Sequence, residues 1–235
     1  MSATPHRVAV MQPYFFPYVG TYQLAQAVDE FAFFDDVNFI KKGYIHRNAV
    51  LLDGQAHPFT IPVRDASQNR HIGDHHYTGD WQPFLSLLHR AYRRAPQFDA
   101  AYALVESVVK DADDNVARKN ALSFVRVFEY LGRNKTWSAA SAHAVPAEIR
   151  GPRRILALCR ALGAAVYVNA SGGRALYAPE DFEREGIALR FLSSQPDAYP
   201  QAGSGFVPNL SMIDLLMHLP PAEVNARLVQ FRLEP

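Results

Sequence analysis

One cysteine in 235 residues rules out an intramolecular disulfide and any metal site built on several thiolates. No apolar stretch nears the roughly 20 residues needed to span a bilayer, so no transmembrane segment is expected. Charge of neither sign prevails. With 24 Lys+Arg against 23 Asp+Glu, no field favours a nucleic acid substrate or an anionic membrane as main partner. Met1-Ser2-Ala3-Thr4-Pro5-His6 lacks the basic and apolar regions of a signal peptide, and the expected location is the cytoplasm. Also missing are Gly-x-x-x-x-Gly-Lys-Ser/Thr, Gly-x-Gly-x-x-Gly, Gly-x-Ser-x-Gly and His-Glu-x-x-His. Those absences disfavour the common kinases, NAD enzymes, serine hydrolases and zinc proteases.

What is present is enough to build one substantial core, since 49% of the residues are hydrophobic. Arg7-Val8-Ala9-Val10 reads as a buried strand. Two prolines and a glycine within Met11 to Gly20 then bar helix until Thr21, a plausible cap for a helix reaching Val28. Glu30 to Phe34 is a second strand, and a strand–helix–strand crossover of this kind should be parallel and right-handed. Asp53-Gly54 is a favoured hairpin turn between Ala49–Leu52 and His57–Val63, a hairpin that extends or caps the sheet. Residues 64–79, with His75-His76, read as a solvated loop, because neighbouring residues of an extended segment point to opposite faces.

Three helical patterns follow without strands between them. The third is capped by Asp113-Asp114-Asn115 and carries Arg118, Lys119, Arg126 and Arg133 outward. Strands at Lys135–Ala140, Ala164–Val168 and Ile187–Leu192 then alternate with helices around Cys159 and over Pro179–Arg184, ahead of apolar stretches at Leu210–Leu219 and Pro221–Val229. Ile155, Leu158, Cys159 and Leu162 share one helical face, so the cysteine reads as core rather than nucleophile. The expected architecture is α/β: a mainly parallel sheet flanked by helices, with a β-hairpin and a helical insertion. The expected organisation is one domain over 1–235, the insertion covering 80–133.

Three segments, Gln12–Gly20, Asp35–Asn48 and Asn169–Arg174, share an address at the carboxyl end of a predicted strand, where open α/β sheets bind ligands. Gln12 can aim its amide at a ligand. Tyr14, Tyr18, Tyr22 and Tyr44 can stack on a sugar or base. Asp35 and Asp36 can hold an ammonium or take its proton. Lys41, Lys42 and Arg47 suit phosphate or carboxylate. Asn169 with Gly172-Gly173 is small enough to bring backbone N–H groups to an anion. Asp214, on the terminal helix, either closes this pocket from behind or merely pairs on its own helix.

At these segments the chain strongly resembles the WbqC-like family. The resemblance is carried by Gln12-Pro13-Tyr14-Phe15-Phe16-Pro17-Tyr18-Val19-Gly20 and by Asp35 through Asn48. It continues in Leu162-Gly163-Ala164, Asn169-Ala170-Ser171-Gly172-Gly173 and Leu210 through Leu216. His46 and the Asn169-Ala170-Ser171 start depart from the residues usual at those places. The resemblance implies a role in O-antigen or other surface-polysaccharide biosynthesis. It also implies transfer of glycine or another aminoacyl or acyl group to the amine of a nucleotide-linked sugar. Candidate catalytic residues are then Asp35, Asp36 and His46. The remaining residues named above, with Gly20 and Asn48, are candidate substrate contacts. Partners would be a sugar nucleotide and an acyl or amino-acid donor. ATP and magnesium enter if the protein activates the amino acid itself. A looser similarity runs to nucleotidylyltransferase-like folds, although Thr21-Tyr22 follows Gly20 where those have histidine. Two alternatives therefore stand beside transfer: an ATP- or CTP-using ligase or nucleotidyl transferase, and a non-catalytic sugar-nucleotide-binding assembly factor.

Overall fold

In the computed structural model, which describes residues 5–203 and 205–235, the first apolar run forms strand β1 (Arg7–Met11). The chain continues through α1 (Val19–Gln26), β2 (Glu30–Phe33) and the hairpin β3 (Arg47–Leu52) and β4 (Gln55–Thr60). Three consecutive helices follow: α2 (Gln82–Tyr92), α3 (Phe98–Val109) and α4 (Val116–Tyr130). The second half comprises β5 (Thr136–Ala139), α5 (Pro152–Ala161), β6 (Val166–Ala170), α6 (Pro179–Glu183) and β7 (Ala188–Ser194). It ends with α7 (Met212–His218), α8 (Pro221–Arg227) and β8 (Phe231–Glu234).

The main sheet has six strands in the order β5-β2-β1-β6-β7-β8, all parallel except β8 at the edge. By order of appearance in the sheet the parallel strands run 3-2-1-4-5, the doubly wound arrangement, with the chain reversing direction between β1 and β6. Its strands read as unbroken apolar runs because both faces are covered. Ala9, Phe31, Phe33, Val168 and Leu192 pack on one side with α1, α4 and α7. Val8, Val10, Ala32, Tyr167, Leu189 and Phe191 pack on the other with α5 and α6. Helix α4 lies directly on the sheet, where Phe124 stacks on Tyr22 at 4.6 Å and packs against Phe31 at 5.5 Å.

Several local expectations are corrected. Helix α1 starts at Val19 with Tyr18 as N-cap, which puts Thr21 inside the first turn instead of at the cap. The hairpin turns at Asp53 (φ 52°) and Gly54 (φ 74°), as a tight primed turn requires, yet forms its own two-stranded sheet and does not extend the main one. His76 is exposed but His75 is buried, stacked 4.6 Å from Phe39. Lys119, expected outside, is 1% exposed. Its ammonium donates to the carbonyls of Val108, Val109 and Asp111 and so closes the carboxyl end of α3. Strand β8 was not anticipated.

Candidate functional site

The loop after β1 is held from behind. Asn120 of α4 donates to the Pro13 carbonyl (3.0 Å) and the Ile45 carbonyl (2.7 Å), and accepts from Tyr77 Oη (2.7 Å). Phe15 and Phe16 are fully buried, Phe15 within 5.7 Å of Trp81 and 5.6 Å of Phe84. Phe16 sits in the left-handed region (φ 42°), a strained conformation for a large side chain. Its carbonyl accepts from Asn48 Nδ2 (2.8 Å) and Ser211 Oγ (2.7 Å). With the two phenylalanines sunk in the core, Gln12, Tyr14 and Tyr18 are left to face the carboxyl edge of the sheet.

Two adjoining cavities open there. The larger, about 510 Å³, lies over the reversal between β1 and β6. Gln12, Tyr14, Tyr18, Gly20 and Thr21 line one side of it, with Asn169, Gly172, Gly173 and Tyr177 opposite and Gly151-Pro152 at the start of α5. The smaller, about 350 Å³, is walled by Tyr14, Pro17, Tyr18, Tyr44, Asn48 and Asn209. Tyr14, Tyr18 and Thr21 belong to both.

Both cavities are uncharged and mostly apolar, with a few polar groups from Gln12, the tyrosines, Asn48 and Asn169. No carboxylate, imidazole, ammonium, guanidinium or thiol occurs among the described residues that line them. Burial, with smaller contributions from Tyr18 and Tyr44, holds the Tyr14 hydroxyl above its usual range. Burial does the same for Tyr18 and Tyr177. These hydroxyls therefore stay protonated at neutral pH and serve as donors, not bases. Tyr14 Oη donates to Gln12 Oε1 (3.1 Å), which fixes the Gln12 side chain beside the cavity. Two glycines make room. A methyl group at Gly20 would fall 2.4 Å from the Tyr18 ring, and one at Gly173 would fall 2.5 Å from Asn169 Nδ2.

Of the three expected segments, the first and third meet in the larger cavity, and the second contributes Tyr44 and Asn48 to the smaller one. The acidic residues at its start do not join them. β2 pairs with β5 on the side away from β6, so its carboxyl end opens toward the β5 loop. Asp35 accepts there from Ser141 N–H (3.0 Å) and Ser141 Oγ (2.6 Å). Asp36 pairs with Arg154 of α5, whose guanidinium also donates to the Pro146 carbonyl (2.9 Å). The single pocket joining Gln12, an acidic residue and Asn169 is therefore not formed.

The other candidates disperse for physical reasons. Tyr22, one turn into α1, faces α4 and is fully buried, so it is core. His46 is 7% exposed and packs against Phe39, the two rings tilted with centroids 5.1 Å apart. Burial, followed by the charges of Arg47 and His75, lowers its pKa to about 4. It lines neither cavity. Lys41 and Lys42 are exposed on the turn leading to Tyr44, and Arg47 is half-buried in β3, none of them lining the cavities. Asp214 is fully buried, accepting from Tyr92 Oη (2.8 Å), Tyr199 Oη (2.6 Å) and Gln201 Nε2 (2.7 Å), and it ties the loop at Tyr199 and Gln201 to α7. Its part is to hold that loop.

Thr21, Tyr177, Asn209 and the Gly151-Pro152 start of α5 line the cavities but did not stand out in the sequence. Tyr177 carried a faint signal, lying four residues beyond Gly172-Gly173. Asn209 carried none.

A doubly wound α/β sheet with an uncharged, tyrosine-walled crevice at its reversal is the class that fold and site define. The chain belongs to the WbqC-like protein family, whose pattern matches residues 12–226. It is similar to a protein of Mycobacterium tuberculosis (strain ATCC 25618 / H37Rv) described as "Uncharacterized protein Rv1507c". The two are 24% identical over 220 residues, covering 91% of this chain and 94% of the other. No solved structure matches the chain. No helix among the described residues is long and apolar enough to cross a membrane.

Proposed function

We propose that the chain binds a nucleotide-linked amino sugar in the paired cavities and transfers an acyl group, glycine or another aminoacyl group, to its amine during surface-polysaccharide assembly. The observation carrying this reading is the pair of neutral cavities that meet at Tyr14, Tyr18 and Thr21 at the sheet's reversal. Two compartments with a shared wall suit two ligands whose reacting ends must touch, and tyrosine faces suit sugar rings and bases. In the transfer, the amine lone pair attacks the acyl carbonyl and the new C–N bond forms. The bond to the leaving group then breaks with its electron pair, and the amine proton departs with the leaving group or to water.

Asp35, Asp36 and His46 lie outside the lining, so the rate is ascribed to alignment of the two reactants. Tyr18, on the wall that the two cavities share, supplies a neutral donor for the developing oxyanion. Tyrosine and asparagine offer poor ligands for magnesium, which favours carboxylate and phosphate oxygen, so a ligase using ATP and magnesium fits this lining less well. The lack of a base in the lining favours a second reading, a non-catalytic sugar-nucleotide-binding assembly factor.

Incubation with nucleotide-linked amino sugars and a panel of glycyl and other acyl donors, with and without ATP, is read by mass spectrometry. An acyl mass increase on the sugar nucleotide is expected. Tight sugar-nucleotide binding with no mass increase across the panel would instead select the binding factor.

A further inference from the structure

The larger cavity holds a set of donors that its expected role leaves without an acceptor. The first turn of α1 abuts it through Gly20 and Thr21, and α5 abuts it through Gly151 and Pro152. Gly20 and Gly151 bring backbone N–H groups to the wall, whereas Thr21 N–H donates to the Tyr18 carbonyl (3.1 Å) and Pro152 has none, and each helix start adds the positive end of its dipole. Two buried side chains add an independent sign. Thr21 is 3% exposed and lines both cavities, yet its hydroxyl makes no hydrogen bond to the described residues. Asn169 is 7% exposed, and its Oδ1 accepts from Ala170 N–H (2.8 Å). That bond turns Nδ2 toward Gly173 and the Tyr177 hydroxyl in the cavity wall. A buried polar group is normally paired, so the Thr21 hydroxyl on the cavity wall is open to an acceptor that enters the cavity. Acidic side chains that would repel an anion are engaged elsewhere, Asp35 by Ser141 and Asp36 by Arg154.

We infer that the larger cavity contains a phosphate subsite, built from Thr21, Asn169 and the starts of α1 and α5, that takes the diphosphate of a nucleotide without help from a lysine, an arginine or a metal ion. This deepens the sugar-nucleotide reading above and rests on it for the identity of the whole ligand. The subsite is electrically neutral in its side chains, so its grip comes from oriented dipoles and N–H groups. It reassigns the diphosphate from Lys41, Lys42 and Arg47, which do not line the cavity. The smaller cavity, with Tyr14, Tyr18 and Tyr44, then receives the reacting end of the ligand.

Calorimetric titration of the full chain in EDTA tests this with inorganic pyrophosphate, a nucleoside, its diphosphate, ATP and a nucleotide-linked amino sugar. Pyrophosphate and the diphosphate are expected to bind, and the bare nucleoside to bind far more weakly. Asn169→Asp keeps the acceptor for Ala170 N–H but sets a carboxylate against the anion, and should weaken diphosphate binding by about tenfold or more. Thr21→Val should weaken it several-fold with unchanged thermal stability. No phosphate compound binding the wild-type protein, or binding indifferent to both substitutions, overturns the inference. Loss of pyrophosphate binding in a Lys41→Ala/Lys42→Ala protein overturns it too. Acyl transfer in an Asn169→Asp protein with an unchanged KM for the sugar nucleotide would sink the subsite and leave the transferase reading standing. Pyrophosphate binding lost in Asn169→Asp, with no amino-sugar ligand bound, would do the reverse. Preference for ATP over the sugar nucleotide would identify the source of the diphosphate.

Discussion

The Asn169 carboxamide occupies the space that a side chain at residue 173 would fill. A methyl group on Gly173 would stand 2.5 Å from Asn169 Nδ2 and 3.2 Å from its Cγ. The backbone of Gly173 is not left-handed, so the glycine serves space and not conformation. Gly173→Ala should therefore cost little stability while pushing the Asn169 amide from its position. Sugar-nucleotide affinity is expected to fall by about tenfold, the scale of one well-placed hydrogen bond to a charged group. Unchanged affinity in titration would mean that Asn169 does not hold the ligand.

The Asp36–Arg154 pair distinguishes a structural acid from a catalytic one. Both side chains are largely buried, and Arg154 also anchors the loop before α5 through the Pro146 carbonyl. Arg154→Met leaves a mostly buried carboxylate unpaired and should cost on the order of 3 kcal/mol in chemical denaturation. Asp36→Asn should cost less and leave turnover largely intact once protein is folded. Turnover abolished in a stable Asp36→Asn protein would restore Asp36 as a catalytic base.

His46 sets a pH dependence of stability. Its folded pKa, about 4, lies below the ordinary value of 6.5, so between those limits the unfolded chain binds more protons than the folded one. Stability is therefore fully present above about pH 6.5 and is lost as pH falls toward 4, by up to about 3 kcal/mol. His46→Phe keeps a ring against Phe39 and should flatten that part of the pH profile relative to wild type. Parallel denaturation curves at pH 7 and 4.5 measure the difference, and identical pH slopes in the two proteins would contradict it.

Cys159 is fully buried, and burial pushes its thiol up to about 12, so no thiolate is available at neutral pH. Cys159→Ala should leave acyl transfer and ligand binding within about twofold and lower stability by roughly 1 kcal/mol through lost core contact. A folded variant without turnover would require a covalent intermediate.

The strands and their parallel class were legible because residues such as Val8-Ala9-Val10 and Phe31-Ala32-Phe33 must be apolar on both faces of a covered sheet. The hairpin turn was legible at Asp53-Gly54, where local chemistry alone selects the backbone. The address of Gln12 and Asn169 followed from strand ends. Inward and outward orientation was harder to read. Lys119 sits on a helix rich in surface cations, and only the packing of α3 against α4 supplies the three carbonyls that draw it inside.

By itself the sequence determined the α/β alternation, the family and the loop of prolines and aromatics that ends β1, since each is set by neighbours in the chain or by the pattern of burial. The tertiary structure alone decided which residues share a cavity. Strand order is a long-range choice: β6 beside β1 brings Asn169 to Gln12, while β5 beside β2 draws Asp35 to Ser141 and the next loop draws Asp36 to Arg154. No local propensity encodes that pairing, because it comes from burying both faces of one twisted sheet at once.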